Sequence, residues 1–522
     1  SSLPEALWFA ALRNPTCSKP CLSLLQIAMA RPLTVLMVAE KPSIANTLCE
    51  ALCVSGQRAT KRRGPSPSSP VYEYASTFLG APATFRVTAT TGHVYSLDFG
   101  KEYNQWEKHG PDVLFQADTV RVYDSRGNMP EHIRTEARGC DILVLWLDCD
   151  REGENICFEV MELAMPEMVQ PQRDYPQAYR GCVYRAKFSS LAHQDLQAAM
   201  ADLGVPNENE ALSVDARQEL DLRVGVAFSR LQTMYFRKHF GRQLGKQMVT
   251  YGPCQIPTLW FCVKRHVEIE AFVPQPYWML NLTVVAPDGG DAGFKAQADC
   301  GALWIAEEAK ELLGNARSAL GASAGSSDVA GGSVYIVKAR SWSSAYKRPQ
   351  PLNTVEMLKM ASDVLGLGPD DALHAAEQLY LKGILSYPRT ETDKYGDNFD
   401  LDSTLAVLAN ASLPCAREAQ RLQATGITPP RQDGNDAGDH PPITPVKAAT
   451  QSQCGGEAGW ALYEEVCRHF LATISPDATF REAEVAFEVG EIRFVAKSSR
   501  LLSAGWTEVA RQRVDDEGPI DL

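Results

Sequence analysis

The sequence predicts a multidomain protein of the α/β plus α+β class, and three observations predict it. The chain has 522 residues, more than one hydrophobic core organises. Two runs, "LTVLMVA" (33–39) and "ILVLWL" (142–147), are continuously apolar and lead into helical patterns, as strands buried in a parallel sheet do. From about residue 276 the pattern changes to strand-like runs, split by a helix–turn–helix stretch.

Taken in order, the first apolar run is followed by "KPSIANTLCEALC", a short helix pattern. "KRRGPSPSSP" (61–70) reads as a linker from its Pro and Ser content. "TFRVTATTGHVYSL" reads as strand and turn, and "CDILVLWLDCDREGENICFEVMEL" as a buried strand that meets acids and then a helix. Residues 32–190 therefore fit a parallel sheet with helices between its strands. Residues 191–260 are mainly helical, with "DARQELDLRVGVAFSRLQTMYF" apolar at helical spacing. "YWMLNLTVVA" and "SVYIVKAR" read as strands on either side of a Gly-Ala-Ser stretch that reads as a flexible insert. "NTVEMLKMASDVLGLGPDDALHAAEQLYLKGILSYP" reads as helix, turn, helix, glycine stop and strand, with Asn353 and Asp370 as caps and Gly383 ending the second helix. Strands return after 475 in "FREAEVAFEVGEIRFVAKS".

Composition narrows the function. Apolar content is 45% and charged content 22%, ordinary for a globular protein, and no apolar run reaches the ~18 residues of a membrane helix. The 14 cysteines are scattered without zinc-finger spacing, which reads as reduced thiols. A net charge of −13 argues against an all-over basic coat but leaves room for a local nucleic-acid groove. One segment, 230–246, interleaves Arg230, Arg237, Lys238, Arg242 and Lys246 with Tyr235, Phe236 and Phe240; by itself it reads as a solvated helix face. "GRQLGK" falls one residue short of a P-loop, so no nucleotide-driven motor is indicated.

Four stretches could carry chemistry. In "LDCDREGE", Asp148, Asp150 and Glu152 alternate beyond a buried strand, where open parallel sheets bind ligands. Carboxylates this close repel unless a cation neutralises them, and hard oxygen donors imply Mg²⁺. In "VAEKPS", Glu40 and Lys41 end the other buried strand, near the same spot if both strands share a sheet. In "ILSYPRTET", Tyr387 precedes a proline and stands two residues from Arg389. Alone it reads as a packed ring, with a nucleophile beside an oxyanion-binding cation as the alternative. In "DAGDHPPITP", His440 sits in a rigid turn and alone reads as structural.

Together, and in this order, these motifs resemble the type IA DNA topoisomerases, most closely their eukaryotic III beta branch, from about residue 32 to the end. "VLMVAEKPS" and "LDCDREGEN" resemble the acidic motifs of the Toprim domain. "DARQELDLRVGVAFSRL" and "TYGPCQIPTL" resemble the helical domain, with Ile256 where the family has Thr. "ILSYPRTET" and "DAGDHPPITP" resemble the active-site tyrosine and downstream histidine motifs.

The resemblance implies ATP-independent cleavage of single-stranded DNA through a 5′-phosphotyrosyl link, strand passage and resealing. It implies Tyr387 as nucleophile and Arg389 and Lys41 as phosphate-binding cations. Glu40 is implied as either general acid or metal-side acid, and Asp148, Asp150 and Glu152 as Mg²⁺ ligands. His440, Arg217, Asp221 and Gln255 would support or bind the strand. Implied partners are single-stranded DNA, with RNA left open, a RecQ-type helicase and an OB-fold protein; the implied compartment is the nucleus, with the cytoplasm as a second.

The expected organisation is a disordered or non-native leader (1–31) and a Toprim domain (32–190), then part of a helical DNA-binding domain (191–260). A first part of a β-rich gate domain (261–345) and a winged-helix-like domain with the tyrosine (346–448) follow. A return to the gate domain (449–522) would complete it, with the later segment that closes the toroid missing. Two rival readings remain: a DNA-binding fragment that cannot pass a strand, and another Toprim enzyme such as a primase or nuclease. The second rival has no need of "SYPRT" or "GDHPPITP".

Overall fold

The computed structural model describes residues 31–54, 58–106, 108–123, 127–169, 181–284, 294–321, 334–396, 399–438 and 440–511. The expected leader, apart from Arg31, and most of the Gly-Ala-Ser stretch lie outside them. The chain forms two compact units. The first draws on the described residues up to Lys264, on Asn353–Thr392 and on Asn435–Tyr463; the second on Arg265–Leu352, Asp393–Gly434 and the described residues from Glu464 on.

A six-stranded sheet organises the first unit. Its strands are β1 (Leu33–Ala39), β2 (Thr60–Arg62), β3 (Val71–Phe78), β4 (Ala81–Ala89), β7 (Ile142–Trp146) and β8 (Val183–Arg185), in the order β2-β3-β4-β1-β7-β8; β5 (Ser96–Phe99) and β6 (Thr119–Val122) pair separately. β4, β1, β7 and β8 run parallel. β2 and β3 pair antiparallel at one edge. The expected parallel sheet is present in these four strands, and the structure adds an antiparallel edge to it. The cause is the tight turn at Leu79–Gly80, both at positive φ, which folds β3 back on β4 as a hairpin and leaves no room for a crossover helix. Lys61 and Arg62, read as linker, belong to β2.

Period-two alternation in β1 explains why the strand is apolar throughout. Val35, Met37 and Ala39 face one core, with Ile44 and Leu48 of α1 (Pro42–Leu52). Leu36 and Val38 face another, with Ile133 of α2 (Met129–Ala137) and Ile156 and Val160 of α3 (Arg151–Ala164). Both faces are covered, so neither tolerates a polar residue. α4 (His193–Ala201) packs Leu196 into the first core. Then come α5 (Glu208–Leu244) and α6 (Gln255–Glu270), so the helical region runs ten residues past the expected boundary at 260.

α7 (Thr354–Leu365) and α8 (Pro369–Leu381) form the expected helix pair. Asn353 caps α7 by accepting the Glu356 N–H at 2.9 Å. Asp370 is not the cap of α8: Gly368 is, with Pro369 opening the helix and Asp370 in its first turn, where its charge favours the dipole. Gly383 takes positive φ, as a helix stop requires. The strand expected beyond it is reduced to a bridge between Leu385 and Pro445, since Pro388 cannot donate to a ladder.

The second unit contains an antiparallel sheet of β9 (Asn281–Val284), β10 (Phe294–Ala298), β11 (Tyr335–Tyr346), β12 (Ala478–Val489) and β13 (Ile492–Ser503), ordered β11-β12-β13-β10-β9. Strands far apart in sequence thus share one sheet. Leu280, Val485, Phe487 and Phe494 form its core with Ala316, which lies on a helix over Ala306–Ala319 that the sequence reading passed over. No helix among the described residues is long and apolar enough to cross a membrane.

Candidate active site

Two strand ends build the floor of the site. β1 and β7 are adjacent and parallel, with Ala39 opposite Trp146, so Glu40–Lys41 and Asp148–Asp150 leave the sheet side by side. Each turn is pinned from behind. The Glu40 carbonyl accepts N–H groups from Thr91 at 2.7 Å and Gly92 at 3.3 Å. Both residues take positive φ, and for β-branched Thr91 that conformation is strained. Pro42 then starts α1 in the position where its missing N–H costs nothing.

The second turn is held by Arg185, which the sequence reading did not single out, and by Asp150, which it did. Arg185 is fully buried, pairs with Glu154 at 2.7 Å, and donates to the carbonyls of Leu147 (2.7 Å) and Asp148 (2.8 Å). Asp150 caps α3 by accepting the Gly153 N–H at 2.8 Å. A Cβ on Gly153 would stand 1.9 Å from the Asp148 carbonyl oxygen, so this helix start admits only glycine.

Tyr387 comes down on this floor. Its hydroxyl donates to Asp150 Oδ2 at 2.6 Å, and its side chain joins the core under the sheet. It is both a packed ring and a phenol facing the acids. Tyr380, on α8, packs edge-on against it with ring centres 5.1 Å apart and donates to Asp148 Oδ1 at 3.4 Å. The His440 ring lies 4.4 Å from that of Tyr387 on another side.

The pairing of "ILSYP" with "GDHPPITP" is backbone chemistry. Ser386 N–H donates to the Thr444 carbonyl and Thr444 N–H to Ser386 Oγ. Beyond the tyrosine, the Thr354 hydroxyl joins the Pro388 and Thr390 carbonyls, so the Tyr387 loop is fixed on both sides.

The electrostatics are those of crowded carboxylates. Glu40 is pushed up to about 7, first by burial and then by the charges of Asp148 and Asp150. Lys41 lies 3.2 Å from Asp148 and 3.6 Å from Glu40, and those charges raise its pKa against the opposing effect of burial. Burial, then Asp150 and Asp148, hold the Tyr387 phenol protonated far above its ordinary range. Arg389 sits two residues from the phenol but is bound to Glu377 Oε1 through two nitrogens, at 2.5 and 2.9 Å.

Not every expected residue converges. Glu152 points away from Asp148 and Asp150, toward Arg217 at 2.7 Å and His93 at 3.0 Å. His93 is raised to about 9, mainly by its hydrogen bond to Glu159. Arg217 thus reaches the acids only through Glu152. Asp221 and Gln255 are exposed, on α5 and at the start of α6. Among the described residues nothing joins either to the Tyr387 pocket. Arg230, expected on a cationic face, is buried instead: it donates to the carbonyls of Tyr103 and His109 and stacks on Trp106. Tyr235, Phe236 and Phe240 of the same segment are exposed.

Among the described residues, no group of three or more carboxylate, imidazole or thiol side chains stands as a ready metal cage. The donors still suit Mg²⁺, an ion that retains several waters and takes one or two carboxylates. Asp148 and Asp150 supply hard oxygens, and the raised Glu40 marks an excess of negative charge that a cation relieves.

Comparison with known proteins agrees with this geometry. A family model described as DNA topoisomerase matches residues 205–520, and one described as Toprim domain matches 35–191. DNA topoisomerase 3-beta-1 of Homo sapiens is 44% identical over 481 residues, 91% of this chain and 53% of its own length. DNA topoisomerase 3-beta of Arabidopsis thaliana is 42% identical, over 94% of this chain and 53% of its length. DNA topoisomerase 3-alpha of Homo sapiens is 33% identical over 95% and 47%. The chain therefore spans about half the length of the curated relatives it matches. The solved structure of full-length topoisomerase I from Thermotoga maritima shares the fold, with a TM-score of 0.62 at 17% identity over 93% of this chain and 69% of that one.

Proposed function

The chain belongs to the type IA DNA topoisomerases, and on that footing we propose that it cleaves one strand of single-stranded DNA through Tyr387, passes a strand through the break and reseals it without ATP. The observation that carries this reading is the Tyr387 hydroxyl 2.6 Å from Asp150, at the shared end of β1 and β7. Tyr380 also gives its phenol to an acid of this floor, at 3.4 Å; Tyr387 is set apart by its shorter bond to Asp150 and by Arg389 two residues on.

The phenolic oxygen attacks phosphorus, a tyrosyl O–P bond forms, and the bond to the 3′-oxygen breaks. Asp150 is positioned to take the phenolic proton. Glu40, which burial and then the charges of Asp148 and Asp150 push up to about 7 in the absence of a cation, is placed either to give a proton to the departing 3′-oxygen or to stand as the metal-side acid. Arg389 binds the phosphate once it exchanges Glu377 for it, and Lys41 adds a second positive charge. A bound Mg²⁺ would be held by Asp148 and Asp150, with Glu152 if it leaves Arg217, and supplies positive charge for the phosphate oxygens. His440 supports the nucleophile's ring. Exchange of one phosphodiester for another keeps the bond's free energy, which is why resealing needs no nucleotide.

We further assign Arg217, Asp221, Gln255 and the exposed aromatics at 235–240 to a single-strand path on which bases stack. Nuclear action on recombination or replication intermediates, with a RecQ-type helicase and an OB-fold partner, and activity on RNA, are extensions of this reading. The domain succession expected from the sequence is also proposed; the shared sheet of β9–β13 supports the return to a gate domain. The test is relaxation of negatively supercoiled plasmid in Mg²⁺ without ATP. Stepwise relaxation is expected. Nicking without relaxation, or a requirement for ATP, would overturn the strand-passage claim.

A further inference from the structure

We infer that Ser189 is a positioning residue that holds the nucleophile and its histidine in register with the acidic turn; the inference rests on the reaction proposed above. Ser189 stands four residues beyond β8, in a short segment bound on two sides. Toward the acids, Ala186 N–H donates to the Leu145 carbonyl at 3.0 Å and Phe188 N–H to Cys149 Sγ at 3.1 Å. Toward the nucleophile, the Ser189 carbonyl accepts the Tyr387 N–H at 2.9 Å. The Ser189 hydroxyl lies 2.8 Å from His440 Nδ1. One residue thus contacts both the backbone of Tyr387 and the tilted ring beside it, and its own segment is tied to Cys149, between Asp148 and Asp150.

Its neighbour shows that this arrangement is particular to Ser189. Ser190 spends its hydroxyl locally, accepting the Ala192 N–H at 3.1 Å. Ser189 reaches 251 residues along the chain. A hydroxyl can donate to Nδ1 or accept from it, so this contact fixes the ring's rotation whichever nitrogen carries the proton. With the His440 ring 4.4 Å from that of Tyr387, a loose imidazole would leave the phenol's ring unsupported on that side. Ser189 never touches the reacting phosphate; it acts through His440 and the Tyr387 backbone.

Two readouts test this in Ser189→Ala, which keeps the carbonyl, and in Ser189→Thr, which restores a hydroxyl. The first is the long-range ¹H–¹⁵N spectrum of histidine-labelled protein at pH 8, with the His440 signals assigned from a His440→Gln sample. The second is the rate of covalent capture of a single-stranded oligonucleotide at saturation, with its binding constant measured separately. Wild type should show one sharp set of His440 ring signals. Alanine should shift or broaden them and slow capture about two- to tenfold, the factor a net hydrogen bond is worth, with oligonucleotide binding unchanged. Threonine should restore both.

An unchanged His440 signal in the alanine variant overturns the inference, and so does a changed signal with an unchanged capture rate, or a loss that threonine leaves in place. Wild type that captures no oligonucleotide overturns the proposed reaction instead. The histidine spectra then decide by themselves whether Ser189 holds the ring.

Discussion

At the scale of single residues, the cations of the site are paired with carboxylates, Lys41 with Asp148 and Arg389 with Glu377. Arg389 is the clearest case. Its guanidinium is more than half exposed yet held by Glu377, and an exposed pair of this kind contributes about 0–1 kcal/mol to stability. Glu377→Gln should therefore leave the melting temperature nearly unchanged while freeing the guanidinium. Single-stranded oligonucleotide binding, read by fluorescence anisotropy, should tighten about two- to fivefold. Weaker binding would mean that Glu377 orients Arg389 rather than competing for it. Arg185 is the opposite case, a buried cation that never meets substrate. Arg185→Met would strand Glu154 in the core, and breaking one side of a buried pair costs about 3–5 kcal/mol. A loss of this size in urea denaturation is expected; a loss below ~1 kcal/mol would refute its role as the clamp on the Asp148 turn.

At the scale of elements, the sequence was informative wherever burial was two-sided. β1 and β7 were legible because a strand covered on both faces admits only apolar residues, and their ends located Glu40, Asp148 and Asp150. The hairpin of β2 and β3 was not legible, because an edge strand such as "TKR" carries no apolar signature and its Lys and Arg read equally well as linker. Arg185 and Ser189 were hidden for a related reason: their partners are backbone groups and side chains brought near only by folding.

His132 on α2 was hidden likewise, and it makes this edge of the sheet sensitive to pH. The ring is buried, accepts the Ser66 N–H at Nδ1, and bonds Thr88 through Nε2. Burial lowers its pKa below the usual 6.5. Below about pH 6.5 the unfolded chain takes up a proton that the folded chain refuses, so stability falls as pH falls. Denaturation measured from pH 7.5 to 5.5 should show a steeper loss in wild type than in His132→Asn, by at most about 1.4 kcal/mol per pH unit. Equal slopes would contradict the buried neutral ring.

At the scale of the whole molecule, the order of motifs carried more than any one of them. Tyr387 taken alone reads as a packed ring, and it is one; the chemistry proposed for it rests on "ILSYP" pairing with "DAGDHPPITP" and landing on a floor built some 240 residues earlier. The surroundings of Glu152 were not legible: it lies on α3, where it pairs with Arg217 and His93, residues that folding alone brings near. The central claim is that Tyr387 is the nucleophile, and covalent trapping tests it most directly. Protein is mixed with a 3′-labelled single-stranded oligonucleotide in Mg²⁺ without ATP, denatured, and examined for labelled protein. A labelled band in wild type that maps to Tyr387, and none in Tyr387→Phe, is the predicted result. A band that survives in Tyr387→Phe, or folded wild-type protein that binds the oligonucleotide and is never labelled, would contradict it.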